Sequence, residues 1–569
     1  MHVRTVSLLL FAGASSLAAQ RTAGLVPCRG QRIDSISIDA QAPTVTGLRR
    51  VPVVGNVARE THVVTRDQVI RGFLLLHVRG RCSELGRAES ERILRAQPFI
   101  ADANIDVIGN ERGGVNVEVH TIDEASLILS GSVASGTPAV RGLRVGSANL
   151  SGLGIATSLS WRYQRVFDDR LELRIADYQF GGKPYVLSLA SIRDPFGRDD
   201  HAEMTFPFRT DLQRLAWRTL IGESRGYAQF TERDSGRLAL GYGREYAEAG
   251  GIARLGPPGR LSLIGLSFTN ERSFPDSAPV RLTESGFLSD TAAAFAGRFM
   301  ETKAARVNAL IGLRGIRFMR VRGFDALRGT QDVPIGLQIG TLIGRGVRAF
   351  GANSNDVFVA SDLYMGMGSP RLTYRLQLQG EGRRARGSKT WDGLVGSGRL
   401  ARYSRPSDHR TQIISVEWSG TSRVLLPHSF SLGTPDGGVH GFNGDSAVAG
   451  RRGIARLDEQ YYLGSPFSFG DFGVAWFTDA GQMWRGDLPY GETTPVRFSG
   501  GAALLLAIPM RSTRMWRLEF AAPMNPAPGA DRWQVRVSHF DRTSFFWREP
   551  ADVDAARARA VPASIYNWP

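Results

Sequence analysis

Apolar and polar residues alternate along most of this chain, from Ser126 to about residue 547, and no helical pattern interrupts them. In Leu372–Leu378, leucine and tyrosine alternate with threonine, arginine and glutamine, and Arg532–Val537 alternates in the same way. Because successive strand residues point to opposite faces, each run has one apolar and one polar face. A soluble sandwich shows the same alternation, but more than four hundred residues of it make too many strands for one sandwich.

The lengths of these runs indicate a membrane. Each run has about nine to fourteen residues, which matches a tilted strand that crosses a bilayer. Only a closed barrel places a sheet in lipid with its backbone groups hydrogen-bonded. No apolar run is long enough for a transmembrane helix. We therefore predict a transmembrane β-barrel of about sixteen to eighteen antiparallel strands, with long loops at 194–214, 272–303 and 386–410.

The charge of the chain limits its partners. The sequence has 70 lysines and arginines against 54 acids, a formal net charge of +16. A basic balance can indicate nucleic acid, but the sequence has no zinc-ligand spacing, nucleic-acid motif or lysine-rich run. The arginines are instead dispersed through the alternating strands. They fit a wet lumen or anionic lipid head groups, so lipid is an expected partner and nucleic acid is not.

The N-terminus reads as a secretory signal over residues 1–20. Arg4 gives the basic start, Leu8–Ala12 gives a short apolar centre, and small residues follow. Export would place the chain in an oxidising compartment, where Cys28 and Cys82 can form one disulfide. Two unpaired thiols are the alternative.

Residues 21–125 predict a small two-layer α/β domain. Thr65 begins a capping-box pattern before the first helix, and valines alternate in the last hairpin. One strand, two helices and that hairpin follow one another at Arg32–Ala40, Arg66–His77, Glu84–Ala96 and Ala103–Val119. The barrel is expected to occupy 126–547, and 548–569 form a C-terminal tail.

A glycine-rich loop near 437–451 comes before two strand-like runs that carry acids. The loop contains Val439, His440, Gly441 and Phe442, and the runs contain Asp458, Glu459 and Asp479. A charge inside an apolar run needs a partner, because an unpaired buried charge is costly. We interpret the loop as a segment that folds back to carboxylates on the inner wall of a barrel.

These residues resemble one family, the outer-membrane assembly and two-partner-secretion transporter superfamily (bacterial surface antigen family). Its lid loop carries Val/Ile-Arg-Gly-Phe/Tyr, followed by a strand with a glutamate and a strand with Phe-x-Asp-x-Gly. Val439, Gly441 and Phe442 match the lid, and Glu459 and Asp479 match the barrel-wall acids. The resemblance implies about 16 strands and identifies the N-terminal domain as POTRA-like and periplasmic.

Three features depart from that family or compete with the match. His440 stands where the family has arginine, so the lid lock would be weaker and pH-sensitive, since histidine changes charge between pH 5 and 8. Val321–Phe324 fits the lid motif better in letters, but about ten strands follow it and the family has five; we interpret it as a strand end. The tail after Trp547 extends beyond the aromatic residue at which family members usually stop.

The resemblance implies a machine that inserts client proteins into the bacterial outer membrane or translocates them across it. Its partners would be unfolded outer-membrane or secreted polypeptides, outer-membrane lipid and accessory lipoproteins. The alternative is a passive outer-membrane pore or surface structural barrel without transport activity, which the change at His440 favours. The sequence shows no nucleophile motif, metal-ligand spacing or phosphate loop, so we expect no enzyme, catalytic residue, metal or cofactor.

Overall fold

The structure is a computed structural model that describes residues 24–43, 63–135, 139–163, 170–194, 197–232, 236–283, 286–290, 295, 297–433, 437–442, 447–466, 470–526, 531–540, 547 and 549–558. The predicted secretory signal, residues 1–20, lies outside the described residues. The chain forms a small α/β domain, a closed barrel and a short C-terminal segment. Among the described residues, no helix has both the length and the apolarity needed to span a bilayer.

The N-terminal domain is a four-stranded sheet covered by two helices. The strand order is β2-β1-β4-β3, with β1 and β4 parallel. The helices and the sheet share one apolar core that includes Ile70, Phe73 and Leu94. A disulfide joins Cys28 to Cys82, across a sequence separation of 54. In chain order the elements are β1 (Arg29–Gln41), α1 (Asp67–Arg71), β2 (Arg81–Ser83), α2 (Glu84–Arg95), β3 (Ile100–Gly109) and β4 (Val115–Asp123).

The first helix differs from its prediction at both ends. It ends at Arg71 rather than near His77. Thr65 does not cap it: the backbone N–H and Oγ1 of Thr65 donate to Asp123, at 2.7 Å and 2.9 Å. Asp123 is fully buried, so its need for donors outweighs the local capping bond. Ser83, by contrast, caps α2 by accepting from the backbone of the third residue along.

The rest of the chain forms a closed antiparallel barrel. Its strands are β5 (Leu127–Ala134), β6 (Val140–Ser147), β7 (Ile155–Arg162), β8 (Arg170–Asp177), β9 (Val186–Asp194), β10 (Gly197–Phe206), β11 (Leu215–Glu232), β12 (Gly236–Leu255), β13 (Leu261–Pro275), β14 (Val280–Thr283), β15 (Gly286–Ser289), β16 (Thr302–Arg322), β17 (Thr330–Gly346), β18 (Val357–Ser369), β19 (Leu372–Arg384), β20 (Asp392–Ser407), β21 (Arg410–Ser422), β22 (Arg451–Gly464), β23 (Asp471–Trp484), β24 (Arg497–Ala507), β25 (Met515–Pro523) and β26 (Gln534–Phe540). The short hairpin β14–β15 lies outside the wall, because β13 also pairs directly with β16.

The prediction of about 16 strands was wrong, since the described wall has 20 strands. Two of the predicted long loops contain wall strands: β10 lies within 194–214, and β20 lies within 386–410. The hairpin β14–β15 occupies much of 272–303. These segments are rich in charge and glycine, which concealed their strand character. The last strand also stops at Phe540, so Trp547 does not belong to the wall as predicted.

The two faces of the barrel differ as the alternation predicted. Large apolar side chains stand exposed on the outer face, including Ile221, Leu266 and Leu313, at 63%, 67% and 59% exposure. Their neighbours along the strands, such as Arg218 and Arg314, point inward and are buried. An apolar belt this extensive is far larger than the patches of soluble proteins. The outer face therefore fits lipid, and the inner face is charged.

Closure is weakest between the first and the last strand. Among the described residues of β26 and β5, four pairs are in register, from Gln534↔Ala134 to Val537↔Gly131. By comparison, β11 and β12 pair in register along their full length, from Leu215↔Ala253 to Glu232↔Gly236. Few backbone hydrogen bonds hold the β26–β5 edge, so it is the part of the wall that separates at the lowest cost.

The N-terminal domain packs against one rim of the barrel, here called the domain-side rim. Arg95 of α2 forms a salt bridge with Asp332 at 2.8 Å, and Glu91 pairs with Arg320 at 2.6 Å. Glu124, just before the barrel, accepts from the Ser512 hydroxyl at 2.6 Å. These contacts fix one end of the barrel to the domain. The longer loops lie at the opposite rim, here called the loop-side rim.

Candidate functional site

The loop between β21 and β22, residues 423–450, enters the barrel from the loop-side rim, and we call it the lid loop. Its two limbs meet at Phe430 and Ala449, whose backbones exchange hydrogen bonds of 2.9 Å and 3.0 Å. Residues 434–436 and 443–446 of the loop lie outside the described residues. The tip packs into an apolar cluster with the inner wall, formed by Leu432, Val439, Phe442, Ala449, Ile454 and Met483. The lid loop is thus seated inside the barrel.

His440 connects the tip of the lid loop to the inner wall. Its backbone N–H donates to Asp479 Oδ2 at 3.0 Å, and its imidazole Nδ1 lies 2.5 Å from the same oxygen. Its Nε2 lies 3.8 Å from Glu519, and its ring packs 4.7 Å from that of Phe477. Asp479 is only 1% exposed, and its Oδ1 has no hydrogen-bond partner among the described residues. The histidine therefore occupies the position that the resemblance gives to an arginine.

Several arginines of the inner wall surround this contact. Arg456 donates to the carbonyl of Gly438 at 2.6 Å and pairs with Glu417 at 2.6 Å. Arg517 joins Asp458, at 2.5 Å, to Glu519, at 3.0 Å. These groups lie inside the barrel, so the inner wall presents fixed charges to the lid loop, and Arg456 also binds a backbone carbonyl of the loop. Charged partners in such a partly dry site make strong hydrogen bonds.

Two glycines allow the close fit of the lid loop. A Cβ on Gly481 would lie 2.5 Å from Val439 Cγ2, which is too close for any residue with a side chain. Gly441 has φ +82°, and a Cβ there would lie 3.0 Å from Pro523. The glycines of the lid motif and of the second acidic strand therefore serve one contact between loop and wall.

Glu459 was predicted to face the lid loop, but it lies on the outer face of the wall. It pairs in register with Trp476 of β23, which is 43% exposed on the outer face, whereas Asp479 lies an odd number of residues away and points inward. On the outer face, Glu459 contacts Arg410 and accepts from Gln412 at 3.0 Å. The inward acid of the pair is its neighbour Asp458. A strand's faces alternate residue by residue, so the choice between adjacent acids decides the side of the wall.

Sequence reasoning missed Glu519, Arg517 and Gln534, which complete the site. Gln534 accepts from the backbone N–H of Gly441 at 3.2 Å. A signal was present, because Arg517 and Glu519 alternate with apolar residues in β25 and must share one face. The competing motif Val321–Phe324 ends β16 and begins the turn on the domain-side rim, far from the lid loop, as interpreted.

A second histidine of the lid loop is buried. His428 is 3% exposed; its Nε2 lies 2.8 Å from the Thr421 hydroxyl and its Nδ1 lies 3.0 Å from the carbonyl of Leu426. Burial lowers the pKa of His428 to about 4, because the imidazolium form loses its hydration there. The docked lid loop therefore contains a neutral His428 near pH 7.

The described part of the C-terminal tail, residues 549–558, also lies inside the barrel, which the sequence did not indicate. It forms a short helix, α3 (Ala551–Ala556), whose Asp552 pairs with Arg452 of the inner wall at 2.7 Å. Val553 and Ala556 of α3 are buried against the base of the lid loop. The described residues of the tail and the lid loop thus pack against each other inside the lumen.

No protein-family model and no curated protein matches the chain. Among solved structures, it is similar to BamA from Haemophilus ducreyi lacking POTRA domains 1–3, with 12% identity and a TM-score of 0.36 over 90% of this chain and 85% of that chain. CdiB from Acinetobacter baumannii gives 10% identity and a TM-score of 0.41 over 90% and 74%. CdiB from Escherichia coli gives 11% and 0.40 over 90% and 77%. Identities and TM-scores are low, so the proposals below rest on the contacts of this chain.

Proposed function

We propose that this protein is an outer-membrane barrel that inserts client polypeptides into the membrane or moves them across it. The N-terminal domain, in the periplasm, holds the client, and the lid loop gates the lumen. The observation that carries this proposal is the lid loop seated in the lumen through His440 and Asp479, above a domain fixed to the opposite rim. A buried acid is costly without a partner, so the docked position of the lid loop against Asp479 is a specific contact.

Client capture would use the edge of the N-terminal sheet. The strand order places β2 at one edge, and β2 has three residues against thirteen in β1. It therefore lies along only the first part of β1. An extended client segment can add to such an edge by backbone hydrogen bonds, which recognise unfolded chains with little regard to their sequence. Outer-membrane lipid and accessory lipoproteins are the other partners that we propose.

Insertion into the membrane would require an opening in the wall. The four-pair edge between β26 and β5 has the fewest backbone bonds to break, so it is the proposed site of lateral exit. Translocation would instead need the lid loop to leave the lumen. An engineered disulfide between β26 and β5 distinguishes the two routes, because it should stop insertion through this edge and leave translocation through the lumen unaffected.

Depletion of the protein in its native host tests the proposal. Loss of other barrels from the outer membrane, or loss of one secreted protein, is the expected result. A photo-reactive residue in place of Ser37, exposed on β1, should crosslink to an unfolded polypeptide, while the same residue at Arg112, in the exposed hairpin turn, should not. Unchanged outer-membrane content with altered solute uptake would refute the proposal and favour the passive pore.

A further inference from the structure

We infer that the described C-terminal residues, Trp547 and 549–558, form an internal plug that holds the lid loop closed, so that the plug must leave before the lumen can open. This inference does not depend on the identity of any client. Trp547 donates its backbone N–H to Gln377 on the inner wall at 2.6 Å, and Glu549 contacts Ser397 of β20. The segment thus follows the inside of the barrel after the last strand.

The helix α3 bridges two sides of the lumen. Asp552 accepts from Arg452 of β22 at 2.7 Å and 3.0 Å. At the other end, Arg244 of β12 donates to the carbonyls of Ala555 and Arg557, at 2.9 Å and 2.8 Å. Between β12 and β22 the wall runs through β13 and β16–β21, so these contacts are not with neighbouring strands. A segment held on both sides obstructs the passage between them.

Arg557 fixes the end of the plug. Its guanidinium donates to Glu549 at 2.5 Å and 2.7 Å, and to Ser397 Oγ at 3.0 Å. It also lies 3.5 Å from Glu381 of β19, which accepts from the backbone N–H of Ala558 at 2.8 Å. The wall therefore binds the segment through specific side chains and also through its backbone, as a binding site holds a peptide.

The plug also contacts the lid loop directly. Ser431 of the lid loop donates its backbone N–H to Asp552 at 3.4 Å. A Cβ on Gly437 would lie 2.5 Å from Pro550, so the two segments pack without space between them. Their shared apolar cluster consists of Val395, Val424, Leu426, Phe430, Val553 and Ala556. Because the plug covers the base of the lid loop, movement of the lid loop out of the lumen first requires release of the plug.

Single-channel conductance of the purified protein in planar bilayers tests this inference. Truncation of residues 548–569 should produce large, long-lived conductance steps that the full chain lacks. Asp552→Arg should do the same, because it places a cation against Arg452. Combining Asp552→Arg with Arg452→Asp should restore the closed state. The matched control is Glu111→Arg, the same charge change at the exposed turn between β3 and β4, which should behave as the full chain.

A synthetic peptide of residues 547–569 should close the truncated barrel again, and the same peptide with Asp552→Arg should not. Heat-modifiable electrophoretic mobility shows for each variant whether the barrel is folded. A folded truncated barrel that conducts as the full chain does would overturn the inference. So would closure by both peptides, since the block would then be non-specific. The assay contains no client, so its failure is separate from failure of the proposed transport function.

Discussion

Replacing His440 with alanine should weaken the docking of the lid loop to the inner wall. The change removes the imidazole that lies 2.5 Å from Asp479, while the backbone N–H of residue 440 still donates to that carboxylate. One hydrogen bond to a charged group contributes about 1.5–3 kcal/mol. Each 1.4 kcal/mol is a factor of ten, so the open fraction of the lid loop should rise roughly 10- to 150-fold.

Thiol labelling measures this fraction. Because the two native cysteines, Cys28 and Cys82, form a disulfide, Val439→Cys introduces the only free thiol of the chain. Val439 is 2% exposed, and a maleimide reaches it only when the lid loop opens. The matched control is His409→Ala, at an exposed turn on the domain-side rim, which should leave the labelling rate unchanged. Equal rates in the His440→Ala and unmodified backgrounds would refute the assigned lock.

Replacing His440 with arginine should have the opposite effect. Asp479 Oδ1 has no hydrogen-bond partner among the described residues, and a guanidinium can reach both carboxylate oxygens. Labelling at Val439→Cys should therefore slow.

Three further predictions concern packing and buried titratable groups. Gly481→Ala puts a methyl group 2.5 Å from Val439 Cγ2, so it should weaken lid docking by about 1–3 kcal/mol and speed maleimide labelling of a cysteine that replaces the buried Phe442, a reporter that keeps Val439. Burial lowers the pKa of His428 to about 4, so lid docking should lose up to about 3 kcal/mol as pH falls from 6.5 to 4. The loss should be absent from a His440→Arg, His428→Gln chain compared with His440→Arg alone, when labelling at each pH is normalised to that of a fully exposed cysteine, because thiol protonation slows maleimide at low pH. Burial raises the pKa of Asp123 to about 7, so the N-terminal domain should lose up to about 4 kcal/mol of stability as pH rises from 4 to 7. Asp123→Asn should abolish that loss, as hydrogen exchange of β4 would show.

The alternation of apolar and polar residues was sufficient to predict the barrel fold and the positions of the last strands. It carries this information because one face of each strand is apolar and the other faces a charged lumen. Runs predicted at 452–463 and 470–484 correspond to β22, Arg451–Gly464, and β23, Asp471–Trp484. The number of strands was not predictable in the same way, since β10 is charged on both faces. Its outer charges are paired with neighbouring strands: Asp200 with Arg193, and Arg198 with Glu223. A single strand's sequence does not reveal such pairs.

Glycine concealed β20 for a related reason. A Cβ on Gly398 would lie 2.3 Å from the Trp418 ring of β21, so the glycine makes room for a large neighbour. At the site, the resemblance selected Glu459 and Asp479 as wall acids. Asp479 lies against the lid loop and Glu459 lies on the outer face, because adjacent strand residues point to opposite sides of the wall. The plug could not be predicted, because its partners are long-range contacts that leave no local periodicity.

The wall of this barrel does not have one height. Each of β5 to β8 has eight residues, whereas β12 has 20. With a rise of about 3.3 Å per residue and a tilt of about 40°, the short side spans about 20 Å and the long side about 50 Å. The apolar band of a transmembrane barrel is about 25 Å tall, which exceeds the height of the short side, so the bilayer beside β5–β8 must become thinner. This hydrophobic mismatch strains lipid next to the strand that begins the wall.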